Sequence, residues 1–568
     1  TNTQKIVKNI ITIVILFFTY AFSANNDPVY SDKGMVVSTS LQASEAGIEI
    51  LKKGGNAVDA AVAVGFALAV TSPSNGNIGG GGFMVSATES GQFFTLDYRE
   101  KAPASGHRDM FLNDSGNVIK GMSLYSRAAA GVPGSVDGLL KALNDHGSGN
   151  ITIRQVMAPA IRLAEKGFTL SKNEADQLNQ FKPFFEHNDG AKDIFIKKGQ
   201  HPWKHGNKFV QKDLARTLKR ISKYGRDGFY DGPVASYIVD EMKRGNGLIS
   251  LQDLEDYESK YRNPVTGSYS KYNVISMGPP SSGGALLVNM FNQLSHFALD
   301  TMGWNSSQYI HYLTEVERRA YADRAEHMGD PDYWQVPVRF LTDTAYASER
   351  IKTIQPQKAS LSSDVYAGHP WPYESNETTH YSVVDKDGNA VSVTTTLNTS
   401  YGCGVLVQGA GFFLNNEMDD FSAKPGIPNI YGLVGKEANA VAPGKRPLSS
   451  MTPTIVLKDQ KPFMVIGSPG GSTIITTTLQ TILNVIVHEM DIQEAVSAPR
   501  VHSQWLPDVI MTEPRGISKD VNNNLENMGH VIVPYRWGYI GEANGITIDD
   551  DGFYGGADSR GETAAVGY

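Results

Sequence analysis

The stretch Glu377-Thr378-Thr379-His380-Tyr381-Ser382 sets two adjacent threonines ahead of a histidine and an alternating run. A threonine hydroxyl is a weak nucleophile alone and becomes effective when a neighbouring amine takes its proton. If the peptide bond before Thr378 is cut, that residue gains a free α-amine. Its reference pKa of about 7.7 to 8.0 is close to neutral, where a general base is most effective. The residue types thus suit a chain that cleaves itself between Glu377 and Thr378 and then uses Thr378 as nucleophile with its own amine as base. Taken alone, a threonine pair also suits an ordinary strand.

The elements around it must hold a second group beside that amine. Tyr381 to Asp385, Lys386-Asp387-Gly388 and Asn389 to Leu397 read as strand, turn, strand. A three-residue loop with Gly388 at positive φ sets Asp385 against Asn389 and Thr396 opposite Thr378. A two-residue Asp387-Gly388 turn sets Thr396 opposite Thr379 instead. Before the seam, Gln355 to Ser375 is polar, has prolines at 356, 370 and 372 and lacks periodicity, so it reads as a flexible tail. Gly467-Ser468-Pro469-Gly470-Gly471-Ser472 ends a strand and opens an apolar helix from Ile474 to Val487. Backbone N–H groups at such a junction receive anions, so Gly470 and Gly471 are candidates to stabilise a tetrahedral oxyanion. The spacing around Ser468 is not the G-x-S-x-G elbow of serine hydrolases.

Other candidates are weaker. Arg99 ends the strand that starts at Phe93, and it is either a solvated residue or a planar fork for a carboxylate. The run Gly79-Gly80-Gly81-Gly82 lacks the lysine and hydroxyl of a phosphate loop, which favours close backbone packing. Ala43 to Lys53 and Ala57 to Val70 read as helices, the second apolar almost all round and so buried between layers. Val156 to Gly167 and Gln211 to Tyr224 read as helices too. His311 to Met328 carries Glu315, Glu317, Arg318, Arg319, Asp323 and Arg324 interleaved, the pattern of a solvated face. No metal-ligand spacing and no internal repeat stand out.

Composition narrows the class. The 568 residues carry a net charge of −8 without a sustained basic run, which argues against nucleic acid as a partner. The one cysteine, Cys403, allows no intramolecular disulfide, and without a patterned histidine it reads as an apolar filler rather than a catalytic thiol. Lys5 and Lys8, the apolar run Ile10 to Phe18 and the small residues Ala21, Ser23 and Ala24 have the layout of a secretory signal over residues 1–24. The expectation is an exported protein, periplasmic or secreted, with no stable membrane anchor.

In order along the chain come GGNAVDAAVAVGFALAV, GGGGFM, DYREKAP, TTHYSVVDKDGNAVSVT, NNEMDDFSAKPG, KRPLSSMTPTIV and GSPGGS. With these motifs, from Leu41 to Arg560, the sequence resembles the γ-glutamyltranspeptidases, self-processing N-terminal-nucleophile enzymes, and most of all their bacterial, glutathione-handling members. The resemblance implies an α+β fold, a four-layer αββα sandwich of two stacked, mainly antiparallel sheets flanked by helices. It implies a large subunit, 25–377, and a small subunit, 378–568, intertwined as one unit. It makes Thr378 the nucleophile and Thr396 the second threonine that assists maturation. Arg99, with Ser449 and Ser450, would grip the γ-glutamyl α-carboxylate. Asp420 would receive the α-amino group, with Asn398 and Glu417 beside it. Gly470 and Gly471 would form the oxyanion hole, and Tyr431 would sit on a lid loop. The implied reaction cleaves glutathione and other γ-glutamyl amides, transfers the acyl group to water, amino acids or peptides, and needs no cofactor.

Departures from the family pattern lie at Thr395, around Cys403, and at Asp558-Ser559-Arg560. Two other readings compete. A cephalosporin or glutaryl acylase on the same fold would need a pocket for a head group without an α-amine, and a non-catalytic envelope protein that binds amino acids would stay uncleaved.

Overall fold

A helix that is apolar on every side must be covered on every side, and Ala57–Thr71 is buried along its whole length. The computed structural model describes residues 27–368, 379–424, 426–434 and 437–568. Among them, two seven-stranded antiparallel sheets stack face to face. One runs in the order Val29–Ser31, Phe553–Ala557, Asn544–Ile548, Lys461–Gly467, Thr454–Lys458, Tyr272–Ser276, Val265–Tyr269. The other runs Ala564–Gly567, Met35–Ser38, Thr379–Val384, Ala390–Thr396, Gly81–Ala87, Phe93–Asp97, Lys260–Arg262.

Three apolar cores separate four layers. Between the sheets, Val37, Phe83, Val85 and Val384 meet Ile275, Ile455, Val465 and Ile546. Outside the second sheet, Val36, Met84, Tyr381, Val383 and Val393 pack on helices that include Leu41–Lys52, Ala57–Thr71 and Ile153–Lys166. Outside the first, Val274, Val456 and Met464 pack on Gly283–Leu294, Ser307–His327 and Thr473–Ile486. This is the αββα sandwich the sequence resemblance implies. Strand alternation sends Tyr381 and Val383 to the helices and His380 and Ser382 to the inter-sheet layer.

The hairpin takes the three-residue register. Asp385 N–H donates to the Asn389 carbonyl, Gly388 has φ 82°, and Thr379 stands opposite Thr395. Asp385 fixes the turn by accepting from Asp387 N–H and Asn389 N–H. Gly79 and Gly80 serve close packing. A Cβ on Gly79 would stand 2.0 Å from the Phe413 carbonyl oxygen, and one on Gly80 2.0 Å from that of Thr396.

Two expectations fail. Helix Ser307–His327 is not solvated: Glu315, Glu317, Arg318, Arg319, Asp323 and Arg324 are all buried. Most of its charges are matched inside, with Arg319 2.7 Å and Arg318 3.5 Å from Glu315, Arg350 3.0 Å from Asp323, and Arg318 paired with Asp508. Glu317 instead accepts from Ser503 N–H, and burial raises its carboxyl well above the usual range. Charges at i, i+3 and i+4 pair equally well in water and in a core, so their spacing alone does not give the environment. The part of the expected flexible tail that is described, 355–368, is tied down along its length. His311 bonds the Gln355 carbonyl, Glu315 accepts from Ser360 N–H, Asp508 from Ser362 N–H, and Asp323 from Gly368 N–H. The rest of that stretch and the proposed leader, 1–24, lie outside the described residues. No helix among those described is long and apolar enough to cross a membrane.

Candidate active site

Strand Phe93–Asp97 carries the chain inward, and Arg99 lies two residues beyond it, fully buried rather than solvated. A guanidinium has no usable neutral form, so burial demands acceptors on all sides. Arg99 has them. Its Nη1 is 2.7 Å from Glu417 and 3.6 Å from Glu100, and its Nη2 pairs with Asp420. Nε donates to the Pro447 carbonyl and Nη2 to that of Leu448, each at 3.2 Å. The short helical turn Glu417–Asp420 brings two of its three acidic partners to one point.

Three carboxylates surround this one cation, and all are fully buried. Burial and mutual repulsion raise the carboxyls of Glu100 and Asp420 well above the usual range. Burial pushes Glu417 up to about 7, with Arg99 and the adjacent Thr396 hydroxyl pulling the other way. Such a cluster is short of positive charge and holds protons near neutral pH.

Thr396 ends strand Ala390–Thr396 beside this cluster. Its hydroxyl accepts from Asn398 N–H at 2.7 Å, a contact enabled by the left-handed backbone of Asn398 (φ 71°). Asn398 Nδ2 donates to the Asn416 carbonyl at 2.9 Å, and Tyr431 Oη reaches the Asn398 carbonyl at 3.5 Å. Tyr431 is buried in a loop pinned by Asn429, and its ring centroid is 6.1 Å from that of Trp537. Ser449 and Ser450 directly follow the two carbonyls that Arg99 holds. Arg99, Thr396, Asn398, Glu417, Asp420, Tyr431, Ser449 and Ser450 thus form one connected group.

Gly470 and Gly471, with φ of 132° and 64°, stand at the start of Thr473–Ile486. Strand Lys461–Gly467 leads to them, and Gly467 lies against the His380 ring, where a Cβ would meet Nδ1 at 2.4 Å. Thr379 and Pro469 line one cavity of about 200 Å³. The glycine loop therefore sits at the Thr379 end of the seam strand. Glu377 and Thr378 lie outside the described residues.

Several neighbours were not read from the sequence. Glu100 follows Arg99 directly, so its proximity was open to reading. His380 is held between Thr394 Oγ1 and Ser382 Oγ at 3.0 Å each, and burial lowers its pKa to about 3, so it is a neutral spacer and not a base. Tyr321 hydrogen-bonds the Ser472 carbonyl beside the glycine loop. Cys403 is buried and its thiol is pushed up to about 12, as suits a filler. Thr395, one of the departures, is satisfied by donating to the Gly81 carbonyl at 2.7 Å.

Among the described residues, His311, Glu315 and His530 could face a metal ion. The spacing of His311 and Glu315, four residues apart, was visible in the sequence and unread. The His311 and His530 nitrogens hydrogen-bond each other at 2.8 Å, closer than the roughly 3.3 Å between ligands of a tetrahedral ion with bonds of about 2.0 Å. Glu315 is already taken by two arginines and Ser360. The trio reads as a structural network.

Comparison with known proteins agrees with this geometry. The family model described as γ-glutamyltranspeptidase matches residues 43–568. The chain is 48% identical over 535 residues to the glutathione hydrolase proenzyme of Escherichia coli (strain K12), covering 94% of this chain and 91% of that one. Among solved structures, the γ-glutamyltranspeptidase of Helicobacter pylori is 43% identical with a TM-score of 0.58, covering 61% of this chain and 97% of that one. Cephalosporin acylase from Bacillus halodurans is 26% identical with a TM-score of 0.84, covering 97% of this chain and 98% of that one. Its motifs, its layers and its relatives agree: the chain belongs to the γ-glutamyltranspeptidase family.

Proposed function

We propose that the protein is a self-processing γ-glutamyltransferase and glutathione hydrolase. The observation that carries this is the charge balance around Arg99. A γ-glutamyl head presents one ammonium and one carboxylate, and the cluster offers a cation for the second and surplus carboxylates for the first. Asp420, aided by Glu417 and Asn398, takes the α-ammonium. Arg99, Ser449 and Ser450 take the α-carboxylate, and Tyr431 closes over the bound donor.

Maturation begins when Thr378 Oγ attacks the Glu377 carbonyl carbon and the bond to nitrogen breaks. The resulting ester is opened by water, leaving a carboxylate on Glu377 and a free amine and hydroxyl on Thr378. Subunits 25–377 and 378–568 result, with Thr396 orienting the new terminus. In turnover the α-amine takes the Thr378 hydroxyl proton as Oγ attacks the γ-amide carbon. Gly470 and Gly471 N–H groups stabilise the oxyanion. The proton then passes to the leaving amine, and a γ-glutamyl ester remains on Thr378. Water releases glutamate, or an amino acid or peptide amine takes the acyl group. This chain's own residues supply each step without a cofactor. The leader over 1–24 directs the protein out of the cytoplasm, to the periplasm or beyond.

The test is incubation of processed protein with a chromogenic γ-glutamyl anilide, with and without glycylglycine. Anilide release, accelerated by the dipeptide, is expected, and its absence from processed protein overturns the reading. Thr378→Ala should run as a single uncleaved, inactive band on a denaturing gel. Likeness to the cephalosporin acylase gives a second reading, and turnover of glutaryl amides in preference to γ-glutamyl amides would favour it.

A further inference from the structure

The two serines assigned to the α-carboxylate lie in a segment held by two buried arginines. Arg99 grips the carbonyls of Pro447 and Leu448. The second is Arg324, near the end of the buried charged helix Ser307–His327 and itself fully buried. Arg324 Nη2 donates to Ser450 Oγ at 2.8 Å and Nε to Ser282 Oγ at 2.9 Å. Ser282 Oγ in turn donates to the Ser449 carbonyl at 2.8 Å, and Ser282 N–H to the same oxygen at 2.7 Å.

The direction of these bonds is fixed by chemistry. A guanidinium has only donors, so at both contacts the serine oxygen accepts. Ser450 therefore has one of its two lone pairs engaged by Arg324, which favours use of its O–H as a donor. Ser449 Oγ likewise accepts, from Met451 N–H at 3.1 Å. A hydroxyl free to choose would meet a carboxylate only after reorienting, whereas one polarised by a cation behind it is already set to donate.

We propose that Arg324 is a positioning residue that presents the Ser450 hydroxyl, and through Ser282 the Ser449 backbone, as a preset donor site for the donor's α-carboxylate. It does not touch the substrate. It sets the preference for donors that carry this carboxylate over those that lack it. The inference rests on the proposed γ-glutamyl reading and adds a residue to it.

The experiment uses full-length, processed protein and two anilides, γ-glutamyl and 4-aminobutyryl, the second lacking only the α-carboxylate. With Arg324→Met, KM for the γ-glutamyl anilide should rise by about 10-fold or more with kcat within about 3-fold, the size expected for losing a hydrogen bond to a charged group. The 4-aminobutyryl anilide should be handled as by the parent, so the discrimination between the two falls. Arg324→Lys should restore part of it, and Arg324→Met added to Ser450→Ala should cost only about 2- to 3-fold, carried through Ser282, beyond Ser450→Ala alone. Equal losses on both anilides, or an unchanged ratio, overturn the proposal. If Arg324→Met does not fold or process, Ser282→Ala, which removes the Nε acceptor and with it the hydroxyl that donates to the Ser449 carbonyl, should shift the ratio the same way by about 2- to 3-fold; no shift counts against the proposal. Parent protein inactive on γ-glutamyl anilide would defeat the functional reading instead.

Discussion

Arg99 and Arg560 both sit among buried carboxylates, in two clusters with opposite balance. Around Arg99 one cation faces Glu100, Glu417 and Asp420, and all three carboxyls are driven up. At the C-terminal end, Arg500 lies 2.6 Å from Asp558, and Arg560 lies 2.9 Å from Asp558 and 2.6 Å from Glu513. There two cations pair with two anions, while the neighbouring Glu542 makes no ion pair among the described residues and is pushed up to about 8 by burial and by Asp558; Arg500 and Arg560 hold the Asp558 carboxyl below its usual range despite its burial. Asp558 also accepts from Ala543 N–H at 2.7 Å, which ties the C-terminal strands to the loop after Ile540. A balanced buried cluster is complete without a ligand and fixes the fold. An unbalanced one is complete only when a cation arrives, and the α-ammonium of a γ-glutamyl donor is such a cation.

The comparison predicts that the two clusters fail in different ways. Asp558→Ala, which strands two buried guanidiniums, should cost about 3–5 kcal/mol of stability, read as a lowered Tm, with kcat/KM of the folded protein nearly unchanged. A loss of activity at constant Tm would erase the distinction. The Asp558 contribution is present above the ordinary carboxylate range and is lost as pH falls through its depressed folded pKa.

Arg99→Ala should act the other way, lowering kcat/KM for γ-glutamyl donors by roughly 10²-fold, mainly through KM, with a smaller effect on Tm because the carboxylates can take up protons. An unchanged KM would count against Arg99 as the carboxylate grip. Next comes Glu417→Gln. The Glu417 pKa is raised from 4.5 to about 7, so between those values the folded state holds more protons than the unfolded state, and stability falls as pH rises through that window. Donor binding has the opposite trend, since the ammonium needs the ionised form: KM should climb as pH falls below about 7. Glu417→Gln should flatten both profiles by a few-fold at most, and steady-state kinetics with a pH series of thermal melts would show it. The smallest effect is expected at Cys403, where Cys403→Ala should leave kcat/KM within about 2-fold, against a large loss if the thiol were catalytic.

What the sequence disclosed depended on whether a signal was local. The hairpin register followed from three residues, Lys386-Asp387-Gly388, once the loop took the glycine's positive φ, although two registers were open until the pairing was seen. Helix Ala57–Thr71 was legible because nothing polar interrupts its faces. Arg99 stood out by residue type and place, and the motif order brought its partners Glu417 and Asp420 into view. Helix Ser307–His327 was misread because its charges find partners such as Asp508 and Arg350, which lie far along the chain. The roles of Arg324 and Ser282 were hidden for the same reason: 42 residues separate them, and only the packing of helix against turn brings them into contact.

The strand order has one more consequence. In one sheet Met35–Ser38 is held between Ala564–Gly567 and Thr379–Val384, and Ala390–Thr396 borders Gly81–Ala87; in the other, Val29–Ser31 and Tyr272–Ser276 flank four strands from beyond the seam. A nick at 377/378 therefore opens no sheet edge. Pulling the fragments apart would strip three ladders from one sheet and two from the other. The nicked particle should sediment as a single body and come apart only in denaturant, and two separately made halves would have no finished surface to show each other until both were folding at once.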